Sequence, residues 1–162
     1  MYLIDANAFI EASRHYYSFN LAPRYWNWLY EQSVAGTIGS IQAVYDEISD
    51  GEDDLSAWVR ENTPGEFWLA EDDDSVAAIS DLVGWAVGPT REFTQPAIDE
   101  FMASADLRLV AQAKALNATV ITREVPSPDS KKRVKLPDAA AAIGVPCVQP
   151  FQAYERLGLR FA

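Results

Sequence analysis

The chain has 162 residues, 49% of them hydrophobic and 23% charged, and a formal net charge of -11. That length suits a single domain spanning residues 1-162 with room for a full core, and no run of about 18 apolar residues marks a membrane span. The negative charge excludes a general nucleic-acid coat, and the one cysteine, Cys147, excludes a disulfide framework or a cysteine-built zinc site.

The charge is unevenly spread. Residues 46 to 74 hold twelve of the 24 acids and one base, Arg60, whereas residues 123 to 135 hold five of the 13 bases. A basic strip on an acidic body can meet phosphates, and it can equally be a solvated loop. No basic segment leading into an apolar stretch opens the chain, so the expected compartment is cytoplasmic.

Tyr2-Leu3-Ile4 reads as a short buried strand of a parallel sheet. Asp5 falls at its carboxyl end, where ligands of open parallel sheets bind. Ala8 to Ser13 follows as a short helix, with Asn7 as its expected cap. Residues 14 to 30 are dense in aromatics, and a helix runs from Pro23 to about Ala35, ended by Gly36. Tyr25, Trp28, Leu29 and Gln32 share one face of it; Trp26 and Tyr30 share another. Core or subunit contact is expected here, with base stacking as the alternative. His15 is the only histidine, which excludes a histidine-pair mechanism.

Thr37 to Gly39 reads as a second strand. Ser40 is the expected cap of a helix from Ile41 to Ile48, with Glu47 near its end. Ser56 to Asn62 is a short helix, and Phe67 to Leu69 a third strand. Asp72, Asp73 and Asp74 precede a helix from Ser75 to about Val87. Capping and the helix dipole explain that acid run better than a metal does. Pro96 to Ala103 is helical. Ala105 to Ala115 is strongly helical by propensity, with Leu107, Val110, Ala111 and Lys114 on one face and Asp106 in the first turn. Ala118 to Thr122 is the clearest strand, followed by Arg123 and Glu124. A Pro/Ser/Lys loop, a helix from Ala139 to Ile143, a strand from Val145 to Val148 and a helix from Phe151 to Leu157 complete the chain.

This alternation predicts an α/β sandwich around a mainly parallel sheet. Asp5, Glu47, Asp106 and Glu124 are four separated acids, each near the end of an element. Converging above one sheet edge, they would suit magnesium or manganese, and such ions activate water against a phosphodiester. The bound charge would neutralise the acids, and the basic strip would hold flanking phosphates.

Four segments resemble the PIN domain, a nuclease fold common in bacterial toxin-antitoxin modules of the VapC type. They are Leu3-Ile4-Asp5-Ala6-Asn7, Glu47 in its helix, the stretch from Ala105 to Ala113, and Val120-Ile121-Thr122-Arg123-Glu124. Tyr16-Tyr17-Ser18-Phe19, Thr122-Arg123-Glu124 and Lys135-Leu136-Pro137-Asp138 further resemble a PIN-like branch of unknown function. The resemblance covers nearly the whole chain. One departure stands out: PIN nucleases usually carry an aspartate two residues after the threonine, where this chain has Glu124, and Asp138 is a rival fourth acid.

The resemblance implies a three-layer α/β/α sandwich and RNA cleavage by metal-activated water. Asp5, Glu47 and Asp106 would hold Mg2+ or Mn2+, and Glu124 or Asp138 would complete the site. Asn7 and Thr122 would orient the carboxylates. Arg14, Arg123, Lys131, Lys132, Arg133 and Lys135 would contact phosphates. The implied partners are RNA, a small DNA-binding antitoxin and a second copy of the chain. The competing readings are an aspartate-based phosphatase and a protein-binding module with a decayed site. Asn7 stands against the phosphatase, because such enzymes place a second aspartate there. The absence of a Gly-rich loop after the first strand disfavours a P-loop or Rossmann protein.

Overall fold

A computed structural model describes residues 1–161. Five strands, β1 (Tyr2–Ile4), β2 (Ile38–Ile41), β3 (Trp68–Leu69), β4 (Thr119–Ile121) and β5 (Cys147–Val148), form one sheet in the order β3-β2-β1-β4-β5. Every pairing is parallel, so the sheet is more uniform than the mainly parallel one expected. The central strands are apolar on both faces: Leu3, Ile4, Val120 and Ile121 are all fully buried. That is the composition required of strands covered on two sides.

The strand order fixes the layers. The chain moves toward one edge from β1 through β2 to β3, and toward the other edge from β3 to β4 and β5. Right-handed crossovers therefore put α1 (Ala6–Glu11), α2 (Pro23–Ala35), α3 (Gln42–Ser49) and α4 (Asp54–Asn62) on one face. They put α5 (Asp73–Val87), α6 (Gln95–Ala103), α7 (Ala105–Leu116) and α8 (Leu136–Ala142) on the other. The last helix, α9 (Pro150–Arg156), returns to the first face, where the Tyr154 and Tyr25 hydroxyls meet at 2.8 Å. The result is a three-layer α/β/α sandwich.

Local chemistry explains most boundaries. Gly36, at φ 74°, ends α2 in the left-handed region that costs glycine little. Asn117, at φ 54°, does the same for α7. Asp72 and Ser75 form a reciprocal capping box on α5, so the Asp72–Asp74 run is a helix start. Two expected caps are corrected. Asp5, not Asn7, caps α1: its Oδ1 accepts the Ala8 amide at 2.7 Å, and the helix begins two residues earlier than expected. Ser40 belongs to β2 and donates to the Ile4 carbonyl at 2.7 Å, because strand pairing runs one residue past it.

The aromatic segment is mostly core. Tyr25, Trp26 and Trp28 are buried, Tyr17 stacks on Tyr25 at 4.4 Å, and Phe19 stacks on Trp26 at 4.0 Å. Tyr16 and Tyr30 remain exposed. Helix α7 is buried on more than the one face expected: Leu109, Gln112 and Ala113 are covered along with Leu107, Val110 and Ala111, while Lys114 is exposed. It lies between the sheet and α5, which hides two sides of it.

Candidate metal centre

The register Leu3↔Val120 and Ile4↔Ile121 carries on past the strand ends. It sets Asp5 beside Thr122, and the Asp5 amide still bonds to the Ile121 carbonyl at 3.1 Å. From this pair the chain departs toward opposite sheet edges. The β1/β4 seam is therefore the topological switch point, where parallel sheets leave a crevice.

Asp5 is 2% exposed. Its Oδ1 takes the Ala8 amide at 2.7 Å and its Oδ2 takes the Thr122 hydroxyl at 2.6 Å. Burial nevertheless raises its pKa to about 7; the two hydrogen bonds oppose that rise, and the charges of Asp106 and Glu124 add to it. Asp106 sits in the first turn of α7, but Ser104 occupies the cap position, so the capping role does not apply. Burial first, then Glu124 and Glu47, lifts Asp106 to about 6, while Arg133 pulls it down. Among the described residues, no hydrogen bond relieves it. Glu47 stands on an exposed rim, and partial desolvation raises it too. On β5, the Cys147 thiol is pushed up to about 12 by burial, then by Asp5 and Glu124. These mutual effects place Asp5, Asp106, Glu124 and Glu47 in one electrostatic neighbourhood.

A cleft of about 640 Å³ opens over the seam. Asp106, Glu47, Asp46, Asn7, Arg108 and Arg133 line it, and the buried Asp5 is next to its lining residue Ala6 in the chain.

Between the two rivals for the fourth acid, geometry separates Glu124 from Asp138. Glu124 is coupled to both Asp5 and Asp106. Its Oε2 accepts the Leu136 amide at 2.8 Å and its Oε1 meets Arg133 at 3.1 Å. The Asp138 carboxylate instead accepts the Ser127 amide at 3.0 Å and faces Arg91 at 3.7 Å. It pins the loop between β4 and α8.

The donor set is all oxygen, as a hard divalent ion requires. Like charges crowded at low exposure are the arrangement a cation relieves. Among the described residues, however, no three acidic, histidine or cysteine side chains enclose an ion as they stand. Asp5, Glu47 and Asp106 are therefore not a closed trio: Asp5 is buried with both oxygens engaged, and Glu47 is exposed. The fit is to an ion such as magnesium, which keeps several waters and takes one or two carboxylates.

The remaining expectations divide. Thr122 holds the Asp5 carboxylate, whereas Asn7 is solvent-exposed in the cleft lining. Of the basic residues expected to contact phosphates, Arg133 alone lines the acidic cleft, which Arg108 also lines. Arg123 does not join a free basic strip: it is ion-paired to Glu11 and lies over the Tyr16 ring at 4.2 Å. Lys131 is paired with Glu92 at 2.8 Å. Arg14 sits by Asp53 rather than near the loop, because the helical turn carrying it projects toward α4. Lys132 is exposed and Lys135 half-buried just before α8. The sequence reading missed the Arg133–Glu124 pair, for which the acid-base alternation of residues 123 to 135 gave the only signal.

The chain belongs to the family described as Domain of unknown function (DUF4411), whose model matches residues 2–161. No curated protein and no solved structure matches it. Among the described residues, no helix is long and apolar enough to cross a membrane.

Proposed function

We propose that this chain is a Mg2+- or Mn2+-dependent endoribonuclease of PIN type. The observation that carries the proposal is the convergence of Asp5, Asp106 and Glu124 at the β1/β4 seam, with Glu47 on the rim. The carboxyls of Asp5 and Asp106 are held at about 7 and about 6. A site that stores uncompensated carboxylate charge beside a cleft is poised for a cation.

A divalent ion, when bound, would polarise the phosphodiester and lower the pKa of a water. Asp106 and Glu47 offer it oxygen ligands from the cleft wall and rim. Asp5, fixed from both sides by Ala8 and Thr122, supplies negative potential from its buried position. Glu124, which accepts the Leu136 amide and pairs with Arg133, would orient and deprotonate the attacking water. Arg133 would turn from Glu124 to a phosphate oxygen, with Lys132 and Lys135 flanking it on the same loop. The Asn7 amide in the cleft lining would hydrogen-bond the scissile phosphate.

The phosphatase reading needs Asp5 as an exposed nucleophile. Both of its oxygens are engaged and it is 2% exposed, which speaks against that role. The open arrangement of the acids favours the non-catalytic binding module as the second reading. A toxin role, with a small DNA-binding antitoxin and a second copy as partners, is supported by the resemblance of the sequence motifs.

The test is cleavage of single-stranded and structured RNA with Mn2+ or with chelator, for wild type and Asp106→Asn. Metal-dependent cleavage lost in the variant is expected. Unchanged cleavage by Asp106→Asn would remove the mechanism, and wild-type inactivity with either metal would leave the binding module.

A further inference from the structure

Beside the acidic cleft lies a second cavity of about 320 Å³. Ile41 and Leu69, the last residues of β2 and β3, form its apolar walls, with Gln112 and Arg108 of α7 completing it. The two cavities share Ala43, Asp46 and Arg108, so one ligand can occupy both.

Gln112 is the unusual member. It is a polar side chain, 4% exposed, on the wall of this largely apolar cavity. Its neighbours Leu109, Val110 and Ala113 are buried and apolar, so an amide on this wall is a polar group offered to whatever enters the cavity. Arg108, one turn earlier on the same face, is by contrast fixed. Its Nε meets Glu71 at 3.0 Å and its Nη1 donates to the Ser104 carbonyl at 3.3 Å. Its guanidinium is thus a restrained plane at the mouth joining the two cavities.

We infer that this pocket is a subsite for an unstacked nucleobase of the substrate, an inference that rests on the nuclease reading of the neighbouring cleft. Each part of the pocket matches that ligand. The aliphatic walls accept the faces of a base, and a guanidinium plane stacks on it. The Gln112 amide offers an acceptor beside donors, the pattern that pairs with a base edge presenting a donor next to an acceptor. The shared rim lets the base sit in the small cavity while its phosphate lies among the acids. Exposed base recognition of this kind is how proteins read single-stranded RNA.

The test uses the full chain in chelator, where no cleavage occurs, with the four ribonucleosides as probes. The Gln112 side-chain amide signals are followed by NMR. At least one nucleoside at millimolar concentration is expected to shift them, and Gln112→Leu and Gln112→Met are each expected to weaken that binding about tenfold. Two variants of similar volume guard against a packing defect in either. With metal and RNA, both variants should lose nucleotide preference at the cleaved position while still cutting. Absence of any nucleoside shift, or equal binding by both variants, overturns the subsite. Nucleoside binding without RNA cleavage by wild type would overturn the nuclease reading and keep the base pocket. RNA cleavage whose preference ignores Gln112 would do the reverse.

Discussion

The Thr122 hydroxyl donates to the Asp5 carboxylate at 2.6 Å, across the seam where β1 and β4 send the chain in opposite directions. The same hydroxyl oxygen accepts the Glu124 amide at 3.1 Å. One side chain therefore ties together two of the acids. Thr122→Val keeps the shape and removes the hydroxyl, leaving the buried carboxylate one donor short. A loss of about 1–3 kcal/mol in urea unfolding at pH 8 is expected, with Thr122→Ser recovering most of it. Wild-type stability in the valine variant would mean that Asp5 is not held charged by this bond.

Acidity gives a second test. Asp106 rises from 3.8 to about 6 in the folded chain, and Asp5 from 3.8 to about 7. Both are raised, so the folded state holds its protons longer than the unfolded state does. Stability of the metal-free protein should therefore be greatest at low pH as far as these groups decide, fall between about pH 4 and 7, and level off above. Asp106→Asn removes its share of that slope. Its melting temperature in chelator should exceed that of wild type at pH 8, by the equivalent of up to ~3 kcal/mol, and match it near pH 3. A variant less stable than wild type at pH 8 would contradict the crowded-carboxylate account.

Metal should reverse that penalty. An ion that binds only the folded state adds about 2.7 kcal/mol at ~100 times its dissociation constant. Mn2+ or Mg2+ is expected to raise the wild-type melting temperature at pH 8 and to do little for Asp106→Asn. The gain should shrink as pH falls through about 6, because the carboxyls must first lose their protons. A rise of equal size in both proteins would locate the ion elsewhere.

Glu124 and Asp138 should part company when each is altered. Asp138→Ala strips the half-hidden Arg91 of its partner and frees the Ser127 amide. A loss of about 3–5 kcal/mol is expected, with the activity of the remaining folded fraction unchanged. Glu124→Gln keeps an acceptor for the Leu136 amide and gives up an ion pair whose arginine is half-exposed. Its stability should move by less than about 1 kcal/mol, while cleavage falls at least about tenfold. The opposite pattern would exchange the roles of the two acids.

The sheet and its helices were legible because apolar strand runs and caps are local signals. Pro23, Gly36 and the Asp72–Asp74 run act on backbone a few residues away at most, so composition revealed them. Asp5 was placed correctly at a strand end. Its capping of α1 was not foreseen, since either Asp5 or Asn7 could serve and packing decided between them. The basic loop misled for a different reason. Lys131, Arg123 and Arg133 find their acids at Glu92, Glu11 and Glu124, and only the fold brings Glu92 and Glu11 near. Gln112 left no trace in the pattern, because a helix that is covered on several sides has no polar face to mark the exception.

The strand that ends just before Asp5 takes its neighbours from residues 38–39 and 119–121. A growing chain on the ribosome thus has its first acid early and must wait for more than a hundred further residues before Thr122 and Glu124 emerge. Pairing across so long a separation is slow to form, and no shorter nascent fragment can assemble the acidic centre. On the proposed nuclease reading, a nascent chain would gain its cutting centre only after β4 has emerged and paired with β1.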